Sequence, residues 1–164
     1  MKINSNETPS NREGGECGKL VALSQSHIQF GWWSLLAFLA TGIILEALHG
    51  FKVPWYLNVG NETRRLMFTL GHAHGTLFAI VNIALGCSCT LLAPRLKYSH
   101  FTAASFLLKI STLAMPIGFI LGGVQIYAGD PGVGIVLVPV AAILLLVAIA
   151  KIALAFSKLS TINK

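Results

Sequence analysis

Four apolar runs, at about 28–49, 66–93, 101–128 and 133–156, decide what this chain can fold into. A helix rises ~1.5 Å per residue, so each run is long enough to cross a hydrocarbon core, for which about 20 residues suffice. A segment in lipid must satisfy its own backbone hydrogen bonds, and a helix does this alone. The connections are short, which makes neighbouring helices antiparallel. The expected fold is all-α, an integral membrane up-down-up-down four-helix bundle over residues 27–157. Composition agrees: 11% of residues are charged, where a soluble domain carries about 25%.

The joints are punctuated. Residues 50–65 form an outer loop whose Pro54, Trp55 and Tyr56 suit a membrane interface. Pro94-Arg95-Leu96-Lys97-Tyr98 ends the second run in a basic turn, and Gly129-Asp130-Pro131-Gly132 reads as a tight turn. Pro116 and Pro139 are expected to kink helices 3 and 4. Residues 1–26, rich in Asn, Ser, Glu and Gly, read as a flexible polar tail, and 158–164 as a short second one. The first run is preceded by that tail and ends in Glu46-Ala47-Leu48-His49, which is no small-residue cleavage site, so it is expected to be retained.

The net charge of +6 lies in short flanks beside the apolar runs. That distribution suits lipid headgroups and excludes a nucleic-acid stripe with interleaved aromatics. Arg12, Lys19, Arg95, Lys97, Lys158 and Lys164 fall on one side, against Lys52, Arg64 and Arg65 on the other. Six against three places both termini in the cytoplasm. The expected partners are the bilayer and either other membrane subunits or a second copy. Cys17, Cys87 and Cys89 make no disulfide framework and read as ordinary small residues. Of the sequons at Asn6 and Asn61, the second would lie outside.

Polar groups gather at the outer ends of helices 1 and 2: Glu46, His49, Arg64, Arg65, His72 and His74. Glu46 and His49 are three apart and share a helix face. His72 and His74 are roughly 200° apart, so they cannot point at one centre. His49 and one of the helix-2 pair could clasp a haem, with Arg64 and Arg65 on its propionates. Glu46, His49 and His72 or His74 could instead hold a metal ion. The same groups also suit a proton or cation path, or a structural network in which Glu46 pairs with Arg64 or Arg65. Tyr127 and Asp130 could line this zone.

Elsewhere, Lys109 is expected to snorkel to the inner headgroups. Asn82 and Gln125 suit interhelical hydrogen bonds, and His27 and His100 read as interfacial. Gly71, Gly75 and Ala79, and Gly118 with Gly122, permit close helix approach. No Ser-His-Asp set, phosphate loop, H-E-x-x-H or dinucleotide fingerprint occurs, so no catalytic activity is legible.

The run Arg65-Leu66-Met67-Phe68-Thr69-Leu70-Gly71-His72-Ala73-His74-Gly75-Thr76-Leu77 resembles the second helix of haem–copper oxidase subunit I. A His-Gly pair there carries an axial ligand of the low-spin haem, which implies that role for His74. Residues 27–157 also resemble small four-helix bacterial membrane proteins of unknown function with a His-x-His start to helix 2. The resemblances imply a bacterial inner membrane protein, redox-associated, with one b-type haem or metal ion held by His49 and His74, with His72 as alternate. A cofactor-free assembly subunit of a larger complex and a small proton or cation carrier are the other readings.

Overall fold

The computed structural model describes residues 9–58, 60 and 62–160. Residues 1–8 and 161–164, with Asn6 and Lys164, lie outside the described residues, as does Asn61. Four helices carry the chain: α1 (Pro9–Gly50), α2 (Glu62–Leu92), α3 (Tyr98–Val124) and α4 (Leu137–Ser160). Each is long and apolar enough to span a membrane.

Contacts between successive helices run in opposite order along the two partners. Ser24, Gly31, Phe38 and Leu45 of α1 meet Gly86, Ala79, Gly75 and Phe68 of α2 in turn. Gly71 of α2 lies against Pro116 and Ile120 of α3, and Gly123 of α3 against Arg64 and Met67 of α2. Phe101 of α3 packs edge-on against Phe156 of α4, while Gly122 at the other end meets Ile135. Extensive packing joins α1 to α2, α2 to α3 and α3 to α4, whereas α1 touches α3 lightly. The bundle is therefore open between its first and last helices.

Small and polar residues recur on the buried faces beside large apolar ones such as Phe38, Phe101 and Leu108, and many other large apolar side chains point outward. On α1 the buried stripe is Leu20, Ser24, His27, Gly31, Ser34, Phe38 and Leu45, while Trp32, Trp33, Leu36, Ile43 and Ile44 are exposed. On α4 it is Ala141, Ala148 and Ala155, one per two turns. Small residues on these faces let the helices approach closely. Gly71 and Gly75, which read as one stripe in sequence, serve different neighbours: Gly71 faces α3 and Gly75 faces Phe38 of α1.

The expected flexible tail is corrected for residues 9–26, which are helical. Pro9 opens α1, where a missing N–H is no loss. The added turns carry the stripe inward: Leu20 joins Leu85, Cys89, Phe101 and Leu108 in the inner core. Glu16 accepts the Tyr98 N–H at 3.1 Å, a carboxylate at the positive end of α3. At its other end α1 closes with the Val53 N–H on the Leu48 carbonyl at 3.0 Å and Lys52 left-handed at φ 52°.

The expected bounds of helices 3 and 4 also move. α3 stops at Val124, and Ile126–Tyr127 (β1) pairs with Asp130–Pro131 (β2) around Ala128 and Gly129, both at positive φ. Tyr127 and Asp130 are exposed in this hairpin, and Gln125 is the exposed C-cap of α3. A 3-10 turn (Val133–Val136) then precedes α4. Pro139 sits in the first turn of α4, where it is tolerated, so the kink expected there has no cause. Pro116 does lie within α3.

Candidate functional site

At the outer end, α1 and α2 place the two helix-2 histidines on different faces, as their spacing requires. His72 Nδ1 lies 2.7 Å from the Phe38 carbonyl, and its ring fits over Gly42, where a Cβ would come within 2.5 Å. A carbonyl only accepts, so Nδ1 donates and Nε2 is the ring nitrogen left for another partner. His74 Nδ1 donates to Leu70 of its own helix at 2.8 Å. Its ring lies against Phe78 and Phe119, with centroids 5.7 and 5.0 Å away, towards α3.

Glu46, His49 and His72 border one cleft of about 270 Å³ with Gly42, Leu45, Tyr56 and Thr69. It shares His49, Tyr56 and Thr69 with an adjoining opening reached by Glu62 and Arg65. The structure thus brings together Glu46, His49 and His72 and leaves His74 out. Among the described residues, no three His, Cys, Asp or Glu side chains stand close enough to hold a metal ion. The guanidinium groups have other work. Arg64 donates to the carbonyls of Trp55 (2.8 Å) and Gly123 (3.2 Å) and covers the Trp55 ring at 4.5 Å. Arg65 leans on Glu62 at 3.5 Å. These positions do not fit a haem clasped by His49 and His74 with Arg64 on its propionates.

The polar group that sequence reasoning missed lies nearer the inner end. His27, expected at the interface, is completely buried. Its Nδ1 is 2.7 Å from Asn82 Oδ1, and its Nε2 is 2.7 Å from Ser105 Oγ. The directions of these bonds can be assigned. Asn82 Nδ2 donates to the Phe78 carbonyl (2.9 Å) and to Thr112 Oγ1 (2.8 Å). Thr112 gives its own proton to the Leu108 carbonyl. The amide oxygen must then face His27, whose Nδ1 carries the proton. Nε2 is left to exchange with the Ser105 hydroxyl.

Ser105 borders a crevice of about 280 Å³ between α1 and α3, with Lys19, Ser26, Tyr98, Thr102 and Lys109. The interior network therefore has an edge at this crevice, near the start of α3. Lys109 leans across this crevice to Ser26 Oγ at 2.6 Å. Farther along α2, Thr76 Oγ1 is buried without a hydrogen-bond partner, one turn from His72 and on its side of the helix. The signal in the sequence was spacing: Ser24, His27, Gly31 and Ser34 recur every three or four residues, as do Tyr98, Thr102, Ser105 and Lys109.

Asn82 makes the interhelical bonds expected of it, whereas His100 is exposed in the first turn of α3. Cys87 is exposed and Cys89 buried, so the C-x-C pair faces two ways. Comparison with protein-family models, with curated proteins and with solved structures finds no match for this chain.

Proposed function

We propose that this is an up-down-up-down membrane protein, with both termini on the cytoplasmic side of a bacterial inner membrane, that passes protons along the polar seam between α1 and α2. One observation carries the reading: His27 is completely buried, yet it is hydrogen-bonded at both ring nitrogens and one of its partners opens onto the inner crevice. An ionisable side chain inside a membrane span is costly and marks function by default.

The chemistry follows from the bonds. Asn82 holds the ring with Nδ1 protonated, and Ser105, whose hydroxyl both donates and accepts, delivers or removes a proton at Nε2. The outer cleft offers His72, His49 and Glu46 as the opposite terminus. Between them lie ten residues of α2, ~15 Å, with the unpartnered Thr76 hydroxyl on the way. The Asn82 amide oxygen accepts a hydrogen bond but does not carry a proton on, so the path requires the His27 ring to turn from Asn82 and several waters in line past Thr76 to reach His72. The test is proton entry into liposomes carrying an internal pH dye, driven by a potassium diffusion potential. Protein-dependent acidification that slows several-fold in Ser105→Ala supports the reading, and rates equal to empty vesicles overturn it.

A second reading, a redox-associated protein with a bound metal ion, is favoured by the His72 bond to Phe38. A ligand imidazole is commonly held through its other ring nitrogen in this way. His72 would then be the ligand, and Glu46 and His49, which do not stand close enough to it as they are, would have to move in from the exposed end of α1. Metal analysis and a reduced-minus-oxidised spectrum of the purified protein test it; a stoichiometric metal lost in His72→Ala supports it, and no metal or haem ends it.

A further inference from the structure

Among the described side chains, Lys109 is a cation without a counter-ion. Its Nζ reaches Ser26 Oγ at 2.6 Å and lies 5.6 Å from the Phe30 ring. Among the described residues no carboxylate pairs with it. Glu16 is engaged on the Tyr98 N–H, Glu62 holds Arg65, and Glu46 and Asp130 lie at the outer ends of their elements. Lys19 adds a second cation to the same crevice.

The depth of the ammonium says what could neutralise it. α3 has 27 residues and is ~40 Å long, ~10 Å more than the hydrocarbon core, so about 5 Å stands out at each end. Ser26 neighbours His27, which is level with Ser105, seven residues into α3 or ~10 Å from its start. The ammonium drawn back to Ser26 therefore ends about 5 Å below the headgroup layer. Tyr98, Thr102, Ser105 and Lys109 share a face of α3 by their spacing, which gives the crevice a polar wall from that layer inward. Ser26, Thr102 and Lys19 are exposed, so the crevice is open on the membrane side.

We propose that this crevice binds the anionic headgroup of a phospholipid, its phosphate paired with Lys109 and Lys19 and hydrogen-bonded by Ser26 and Thr102. Basic residues next to the cytoplasmic leaflet attract such lipids. A bound headgroup would also cover Ser105 and so control the inner end of the seam. Lipid binding is read without any flux, so this proposal and the proton path stand or fall separately.

The test is native mass spectrometry of the full chain in micelles with phosphatidylglycerol and phosphatidylcholine of identical acyl chains. The wild-type protein retains phosphatidylglycerol over phosphatidylcholine by roughly tenfold. Lys109→Gln brings the two towards parity, and Lys109→Arg keeps the preference. If Lys109→Gln does not fold, Lys19→Gln reports instead, with a several-fold loss. Equal retention of both lipids by the wild type, or an undiminished preference in the glutamine variants, overturns the proposal. So does release of phosphatidylglycerol by millimolar inorganic phosphate, which would identify a soluble anion as the ligand.

Discussion

His27 Nδ1 and Asn82 Oδ1 face each other at 2.7 Å across the α1–α2 interface, and that contact orients a polar network drawn from three helices. Asn82 spends both amide protons on Phe78 and Thr112, and His27 spends its second nitrogen on Ser105. The network has no spare donor at Asn82, so removing that residue strands its neighbours.

Asn82→Leu is therefore expected to destabilise the protein by roughly 2–4 kcal/mol. Interhelical hydrogen bonds in membranes average ~0.6 kcal/mol each, and a stranded buried donor adds roughly 1–3. Unfolding by heat or denaturing detergent measures it; an unchanged midpoint would mean that the network contributes nothing to stability.

Close approach of α1 and α2 rests on glycines without room for a methyl group. A Cβ on Gly86 would meet the Ser24 carbonyl at 2.8 Å, and one on Gly31 the Ala79 carbonyl at 2.9 Å. Either Gly→Ala change should destabilise by roughly 1–3 kcal/mol. Gly18→Ala, with nothing within 4 Å, should instead gain about 0.5–1 kcal/mol. If all three variants melt alike, the interface is not where it is described.

His74 is packed as an aromatic ring against Phe78 and Phe119. His74→Phe should cost less than about 1.5 kcal/mol and leave proton entry at the wild-type rate. Loss of proton entry in that variant would place His74 on the path and contradict the account.

Lys52 holds φ 52° where α1 turns into the outer loop, a position that suits glycine. Lys52→Gly should raise stability by about 1 kcal/mol in the same unfolding assay. A lower midpoint would show that the lysine side chain contributes more than its backbone costs.

The four long helices were legible because their apolar runs are each long enough for a span, and the punctuation at Gly50 and Pro94 marked their joints. The inner half of the site was not. In a soluble helix the buried face is the apolar one, but α1 buries Ser24, His27 and Gly31 and turns Trp32 and Trp33 outward. A reading that follows hydrophobicity therefore sees residues 9–26 as a tail and His27 as interfacial. Helical spacing did separate His72 from His74, but it could not say which of them meets the cleft. That depends on Gly42, whose missing side chain makes room for the His72 ring.

The central claim is that protons travel through His27 and His72 and not through His74. Voltage-driven proton entry into liposomes, measured side by side for His27→Gln, His72→Gln and His74→Gln at matched protein content, tests it most directly. The account predicts loss in the first two variants and retention in the third. Wild-type rates in both His27→Gln and His72→Gln would contradict it.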